Sequence, residues 1–309
     1  NAHCARFANH NVGGVKQWTY LPKIKTTDQL WANFKQILEE NNQAQLDQPL
    51  SEVEFAQVKK EISDLKTPYE AGQRLYGMNG KYEIPVNLDN GQQVLLMAQD
   101  QSNVGGGNTR YQIVNQIKRP AKIIGKRDCR FDVTFLINGL PIIQVEEKRR
   151  DETAALNQMR QYIAEDQYTD IYSTVQILVG MSPHGIRYMA NTTLDQFNTA
   201  FAFRWQHEKD NSPVLDWKDF TNLFLNIPMA HEMATNYMIL DGMRNKTKLM
   251  VMRPYQVYAT RNVLRKLRQF QFGYEDRRVG YVWHTTGSGK TVSSFKTAWL
   301  AQRLPNVDS

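Results

Sequence analysis

Asp132, Glu146 and Lys148 are the residues of this chain best placed to run metal-assisted hydrolysis. Carboxylates are hard oxygen donors suited to Mg²⁺, which takes one or two of them beside waters and phosphate oxygens. Lys148 stands two residues after Glu146, so on a strand the two side chains share a face. There an ammonium can lower the pKa of a metal-bound water or steady the attacking hydroxide. A second constellation lies near the end of the chain, in Thr286-Gly287-Ser288-Gly289-Lys290-Thr291. It follows the apolar residues 279–283 and precedes residues 292–300, which read as a helix. Strand, Gly-rich turn and helix let backbone N–H groups and a helix dipole wrap a triphosphate. Gly287, Ser288 and Gly289 would form that cradle. Lys290 would reach the β/γ-phosphates, and the Thr291 hydroxyl would sit on the Mg²⁺ of Mg-ATP.

The first constellation depends on the register of one hairpin. Residues 130–137 and 140–147 are β-rich runs flanking Asn138-Gly139, a strong short hairpin signal. A strict two-residue turn pairs Ile137 with Leu140, hence Asp132 with Val145, and puts Glu147 on the aspartate's face. A three-residue loop through Leu140 pairs Ile137 with Pro141, and so Asp132 with Glu146. The second register gathers Asp132, Glu146 and Lys148 together and is the one we take. The plain alternative is a solvated salt-bridge patch at a strand edge. Against it, Asp132 is embedded in an apolar strand where an unpaired charge is expensive. Gln158 and Tyr162 also follow at i, i+4 on the next helix, sharing a face.

The elements that position these groups are legible in outline. A first helix can start at Thr27 or Asp28 and run to about Glu40, with Leu30, Trp31, Phe34, Ile37 and Leu38 at helical spacing. A second spans 51–65, with Ser51 and Glu54 as a capping box. Residues 92–98 and 111–117 read as strands, with a turn at Gly105-Gly106-Gly107. Asp151 can cap a helix to about Glu165, and 175–180 with 185–189 form a further strand pair. Two to three helices fill 194–240. Strands with helices before, between and after them indicate an α/β or α+β domain. We place a domain at 1–247 and the start of another at 248–309, with the boundary near the polar residues 241–248.

Composition narrows the class. The chain has 309 residues, 41% hydrophobic and 22% charged, as in ordinary globular proteins. No apolar stretch approaches the roughly 20 residues of a membrane span. Asn1-Ala2-His3-Cys4 has neither an initiating Met nor the build of a signal peptide, which suggests a trimmed chain of cytoplasmic location. Cys4 and Cys129 give no disulfide framework and no metal spacing. A net charge of +7 suits a polyanion partner. Basic residues gather at Lys118-Arg119, Lys122, Lys126-Arg127, Arg130 and Lys148-Arg149-Arg150, around the proposed metal site. Contacts of that kind position nucleic acid through its phosphates.

Asp132, the Glu146-x-Lys148 pair and Gln158-x-x-x-Tyr162 resemble the PD-(D/E)xK nuclease fold, in the branch with a QxxxY helix. The run from Arg130 to Glu146 is similar to the motif of the type I restriction enzyme motor (R) subunit. So are Met189-Ala190-Asn191-Thr192-Thr193, Met252-Arg253-Pro254-Tyr255-Gln256 and His284-Thr285-Thr286-Gly287-Ser288-Gly289-Lys290-Thr291. The resemblance runs from about residue 110 to the end. It implies an α+β nuclease core, a mixed sheet flanked by helices, followed by the first strand, P-loop and helix of a RecA-like superfamily 2 motor. It further implies Asp132 and Glu146 as Mg²⁺ ligands, Lys148 as the catalytic lysine, and Gln158 and Tyr162 near DNA. Lys126, Arg130 and Arg149 are the basic residues we add to that DNA surface. Gln256 resembles the adenine-reading glutamine of such motors; its plain reading is a helix-start residue. Glu147 stands where the family usually has an apolar residue. His284 stands where the strict P-loop has Gly. The fold's usual further acid, on its opening helix, has Glu54 and Glu61 as candidates, neither picked out by a local motif.

These features imply the restriction subunit of a type I system, an ATP-dependent endonuclease and translocase with Mg²⁺ and ATP as cofactors. DNA and the methyltransferase (modification) and specificity subunits are its implied partners. A repair helicase-nuclease acting alone, or a scaffold that only grips DNA, are the alternatives. No acidic Walker B pair follows the phosphate loop before Asp308, so this chain alone is expected to bind ATP weakly and not turn it over.

Overall fold

The computed structural model describes residues 16–76, 80–101, 104–243, 246–270, 280–305 and 307. Cys4, Val279 and Asp308 lie outside these. The first strand, β1 (Thr19–Tyr20), leads into α1 (Thr27–Asn41). The cap of α1 is Thr26, one residue before the expected position: its hydroxyl accepts from Gln29 N–H, and the Gln29 side chain returns to Thr26 N–H. Leu30, Trp31, Phe34, Ile37 and Leu38 are all buried on one face. In α2 (Glu52–Ser63) the Ser51–Glu54 capping box forms as expected. A third helix, α3 (Pro68–Tyr76), and a strand, β2 (Lys81–Asn87), go beyond what the sequence analysis placed. β2 pairs antiparallel with β3 (Gln93–Asp100) as a separate ribbon.

β4 (Tyr111–Arg119), β5 (Cys129–Ile137) and β6 (Leu140–Glu147) form an antiparallel meander. α4 (Glu152–Ala164), capped by Asp151, then crosses to β7 (Ile177–Ser182), which runs parallel to β6 and antiparallel to β8 (Gly185–Ala190). The result is a six-stranded mixed sheet in the order β1-β4-β5-β6-β7-β8, flanked by helices: a mixed α/β fold. Near-continuous burial along β5, β6 and β7 is what a sheet covered on both faces requires. Close approach makes two glycines necessary. A Cβ on Gly139 would come within 2.9 Å of the Phe34 Cα on α1, and one on Gly180 within 2.5 Å of the Glu152 carbonyl oxygen on α4.

Helices α5 (Trp217–Leu223) and α6 (Met229–Ala234) fall within the stretch expected to be helical. Residues 241–243 and 246–248, within the stretch read as a boundary, lie in an antiparallel ladder of β9 (Met238–Met243) with β10 (Lys246–Val251). The chain divides into two compact units. One holds residues 1–204 and 214–251; the other holds 205–213 and 252–309. The second unit contains α7 (Pro254–Gln269) and α8 (Lys290–Ala301). The expected strand at 279–283 does not form among the described residues. Gly280, Tyr281, Val282 and Trp283 are exposed coil, and among the described residues no strand pairs with them to satisfy a ladder. Among the described residues no helix is long and apolar enough to cross a membrane.

His231 on α6 is buried with its Nδ1 2.8 Å from the Tyr111 hydroxyl, which itself accepts from the Gly105 N–H. One of this pair donates its proton to the other, and the imidazole is held neutral. Burial lowers its pKa to about 4. An unfolded His titrates near 6.5, so below that pH the unfolded chain takes up the proton first. Stability is full above about pH 6.5 and falls toward pH 4, by up to about 3 kcal/mol from this group. His231→Gln, which keeps a neutral hydrogen-bonding partner for Tyr111, should flatten that slope in urea titrations at pH 7 and pH 5. An equal slope in both proteins would reject the assignment.

Candidate active site

The turn at Asn138-Gly139 fixes the site. Asn138 has φ 50° and Gly139 φ 81°, the pair of positive values that a two-residue hairpin turn with the right twist demands. Ile137 pairs with Leu140 and Leu136 with Pro141, so the expected three-residue loop is not formed. The register then slips by one residue, and Phe135 pairs with Ile143, Thr134 with Gln144, Val133 with Val145. The extra residue is Ile142, beside Pro141, which has no N–H to continue the ladder. The bulge restores the alignment that the longer loop would have produced. Asp132 falls opposite Glu146.

At the end of this hairpin the groups converge. Asp132 Oδ2 accepts the Glu147 backbone N–H at 2.9 Å, and Oδ1 accepts from Gln116 Nε2 on β4 at 3.0 Å. Glu146 is 1% exposed, its Oε1 lies 3.3 Å from Lys148 Nζ, and its Oε2 has no hydrogen-bond partner. Burial pushes the Glu146 carboxyl up to about 8; the Asp132 carboxylate adds to the rise and Lys148 opposes it. From α4, Gln158 Nε2 donates to the Tyr162 hydroxyl, which stands 3.5 Å from Glu146 Oε1 and from the Arg130 carbonyl. Phe131 packs against Tyr162 at 5.0 Å between ring centroids, which backs this wall of the site.

Asp132, Glu146, Lys148, Gln158 and Tyr162 are thus brought together. Arg130 joins through its backbone, and its exposed guanidinium reaches Gln116 Oε1 at 3.4 Å. Arg149 is exposed just beyond β6. Lys126 is turned to Glu165 at 3.3 Å, on the far end of α4 from Gln158. Glu54 is not in the site: its carboxylate accepts the Ser51 and Asp89 N–H groups, which hold its pKa below the usual range. Glu61 pairs with Arg74 at 3.3 Å. Sequence reasoning missed Gln116, whose left-handed backbone (φ 56°) no residue pattern announces.

The donor set fits a divalent cation of the magnesium kind. It offers two carboxylates, one with a buried oxygen lacking a partner, and no sulfur or imidazole. Among the described residues no group of three or more His, Cys, Asp or Glu is arranged to hold a metal. Two carboxylates with the remaining positions left to water and phosphate are what Mg²⁺ accepts.

In the second unit the Gly-rich loop lies against the start of α7. Tyr255 Oη donates to the Ser288 carbonyl at 2.8 Å and Gln256 Nε2 does so at 3.0 Å, while Gln256 Oε1 caps α7 at Arg253 N. Gly287 and Gly289 hold positive φ of 78° and 83°. Lys290 Nζ folds back on the loop, 3.2 Å from the Thr285 carbonyl, and Thr291 is exposed in the first turn of α8. Arg253, Tyr255, Tyr258, Asn262 and loop residues 281–288 line a cleft of about 770 Å³.

Residues 8–197 match the family described as type I restriction enzyme R protein N terminus. The chain belongs to this family. Residues 255–308 match a second description, SWI2/SNF2 ATPase. Among curated relatives, the endonuclease subunit of type I restriction enzyme SauMSSORF170P of Staphylococcus aureus strain MSSA476 is 32% identical over 287 residues, 92% of this chain and 28% of that protein. The EcoprrI endonuclease subunit of Escherichia coli is 27% identical over 271 residues, 86% of this chain and 82% of that protein. The HindI endonuclease subunit of Haemophilus influenzae is 27% identical over 214 residues, 66% of this chain and 20% of that protein. This R-protein N terminus therefore spans only about 28% of the length of the staphylococcal relatives it matches.

Proposed function

We propose that this chain is the nuclease-bearing part of the restriction subunit of a type I restriction-modification system. It cuts duplex DNA with Mg²⁺, and the motor that begins in its second unit draws the DNA through using ATP. The observation that carries this reading is the meeting of Asp132, Glu146 and Lys148 at the end of one hairpin, with Gln158 and Tyr162 beside them. It fits a PD-(D/E)xK nuclease core at 1–247 and the opening of a RecA-like motor from 248. The names of the relatives, endonuclease subunits of type I enzymes, support the same assignment.

Asp132 and Glu146 would hold the cation, which when bound would acidify a water and offset charge on the scissile phosphate. Lys148 Nζ, half-exposed beside Glu146, is placed to hold the attacking water or to steady the phosphate oxygens. The Gln158 amide and Tyr162 hydroxyl fix the wall along which the DNA backbone passes. Arg130 and Arg149 supply cations for phosphates beside it, and Lys126, held to Glu165 at the C-terminal end of α4, does so further along. In the second unit, Gln256 would read adenine while Gly287, Ser288, Gly289 and Lys290 hold phosphates and Thr291 holds the Mg²⁺ of ATP. The modification and specificity subunits of the same system would bring the site to DNA in the cytoplasm.

The test is reconstitution of the full subunit with those partners. Unmethylated plasmid should be linearised when Mg²⁺ and ATP are both present and stay intact when either is omitted. Cleavage indifferent to ATP, or none from an assembly that binds DNA and consumes ATP, would reject the proposal.

A further inference from the structure

Gln116 holds a backbone conformation that its place in the sheet does not call for. Asn115 pairs with Val133 and Ile117 with Phe131, so one residue separates the two pairs on each strand and nothing is inserted. A bulge would shift the register; here the register is the same on both sides. Yet Gln116, which should pair with Asp132, sits at φ 56° and drops out of the ladder. Left-handed backbone is unfavourable for a residue with a Cβ and persists only where the surroundings over-determine it.

Those surroundings are present. Lys25 Nζ donates to the Asn115 carbonyl at 2.8 Å and also to Asn115 Oδ1, and the Tyr20 hydroxyl donates to the same Oδ1 at 3.0 Å. The peptide just before Gln116 is thereby held from the side of β1. On the other side, Arg130 Nη1 stands at Gln116 Oε1, which aims Nε2 at Asp132 Oδ1. With Glu147 N–H on Oδ2, both oxygens of Asp132 are fixed from outside the pair of carboxylates.

We infer that Gln116 is a positioning residue: its turned-over backbone and its amide hold the Asp132 carboxylate in the orientation in which it and Glu146 share a divalent cation. This rests on the metal-site reading proposed above. A second-shell amide of this kind orients a ligand without touching the metal, and its loss commonly weakens binding by about 10–100-fold.

Glycine separates the two roles. Gln116→Gly keeps the positive φ at no steric cost and deletes only the amide, whereas Gln116→Ala removes the amide and retains the backbone penalty. Mn²⁺ binding to the 309-residue chain is measured by electron paramagnetic resonance, with thermal unfolding alongside and Asp132→Ala as the control. The expected result is Mn²⁺ affinity at least about tenfold weaker for Gln116→Gly, with unfolding at or above the parent temperature. If Gln116→Ala fails to fold, the glycine variant carries the test. Affinity within about twofold of the parent for Gln116→Gly, while Asp132→Ala loses it, overturns the inference and leaves the metal site standing. A glycine variant that unfolds below the parent also overturns it, since the amide would then serve the fold. Equal binding by parent and Asp132→Ala removes the metal-site reading and the inference together.

Discussion

Lys148→Ala in the assembled enzyme should cut DNA about 10²–10⁴-fold more slowly while DNA binding and ATP consumption stay nearly unchanged. The ammonium lies 3.3 Å from Glu146 Oε1, where it faces the carboxylate pair. Its side chain is 33% exposed, and the buried Glu146 carboxyl, already pushed up to about 8, can take up a proton once the ammonium is gone, so the loss of stability should stay small. A large kinetic loss with a small change in unfolding is therefore the signature of a chemical role. Lys148→Arg should not rescue it, because a planar, strongly basic fork cannot replace a compact ammonium at a water or a phosphate oxygen. Cleavage assays on plasmid, run beside ATPase assays on the same preparation, decide the point. Parallel loss of cleavage, ATP turnover and stability would assign Lys148 to the fold.

Asp170→Ala should cost about 3–5 kcal/mol of stability in the first unit. Its partner Arg119, at the end of β4, is fully buried. Arg119 Nη1 donates to both Asp170 oxygens at 3.0 and 3.2 Å, and Nη2 to the Gln167 and Thr169 carbonyls at 2.6 and 3.2 Å. Its guanidinium lies over the Tyr172 ring at 4.8 Å, and Tyr172 in turn meets Phe131 edge-on at 4.7 Å. Removing the carboxylate strands a desolvated cation and leaves Lys122, which shares that carboxylate, as a second unpaired positive charge beside Arg119. Arg119→Met together with Asp170→Leu should lose less than Asp170→Ala alone, since no charge is then left buried. Urea unfolding measures both. A loss below about 1 kcal/mol for Asp170→Ala would mean that the carbonyls suffice to hold Arg119. Because Phe131 also backs Tyr162, the same variant should slow cleavage.

Much of the candidate site could be read from residue types alone. Asn138-Gly139 announces its turn because few other pairs tolerate two positive φ values. Gln158 and Tyr162 share a face because a helix repeats every 3.6 residues. The route to the register was hidden: a longer loop, or a tight turn with a bulge at Ile142, brings Asp132 opposite Glu146 equally well. Gln116 left no trace, since a left-handed glutamine within a strand is imposed by Lys25, Tyr20 and Arg130 from elsewhere in the chain. β3 was legible at 92–98, but its partner β2 and the β9–β10 ribbon were obscure, because each is set by pairing with its partner more than by its own composition. The strand expected before the phosphate loop shows the converse: residues 280–283 are coil, with no strand paired to them among the described residues.

Every role proposed for this site requires Asp132 and Glu146 to share a cation. Diffraction from crystals grown with Mn²⁺, at a wavelength that makes the metal scatter anomalously, tests it directly. The predicted result is one peak between the two carboxylates, about 2.1 Å from an oxygen of each, absent in crystals of Asp132→Ala. A crystal with Mn²⁺ bound elsewhere and none between Asp132 and Glu146 would contradict it.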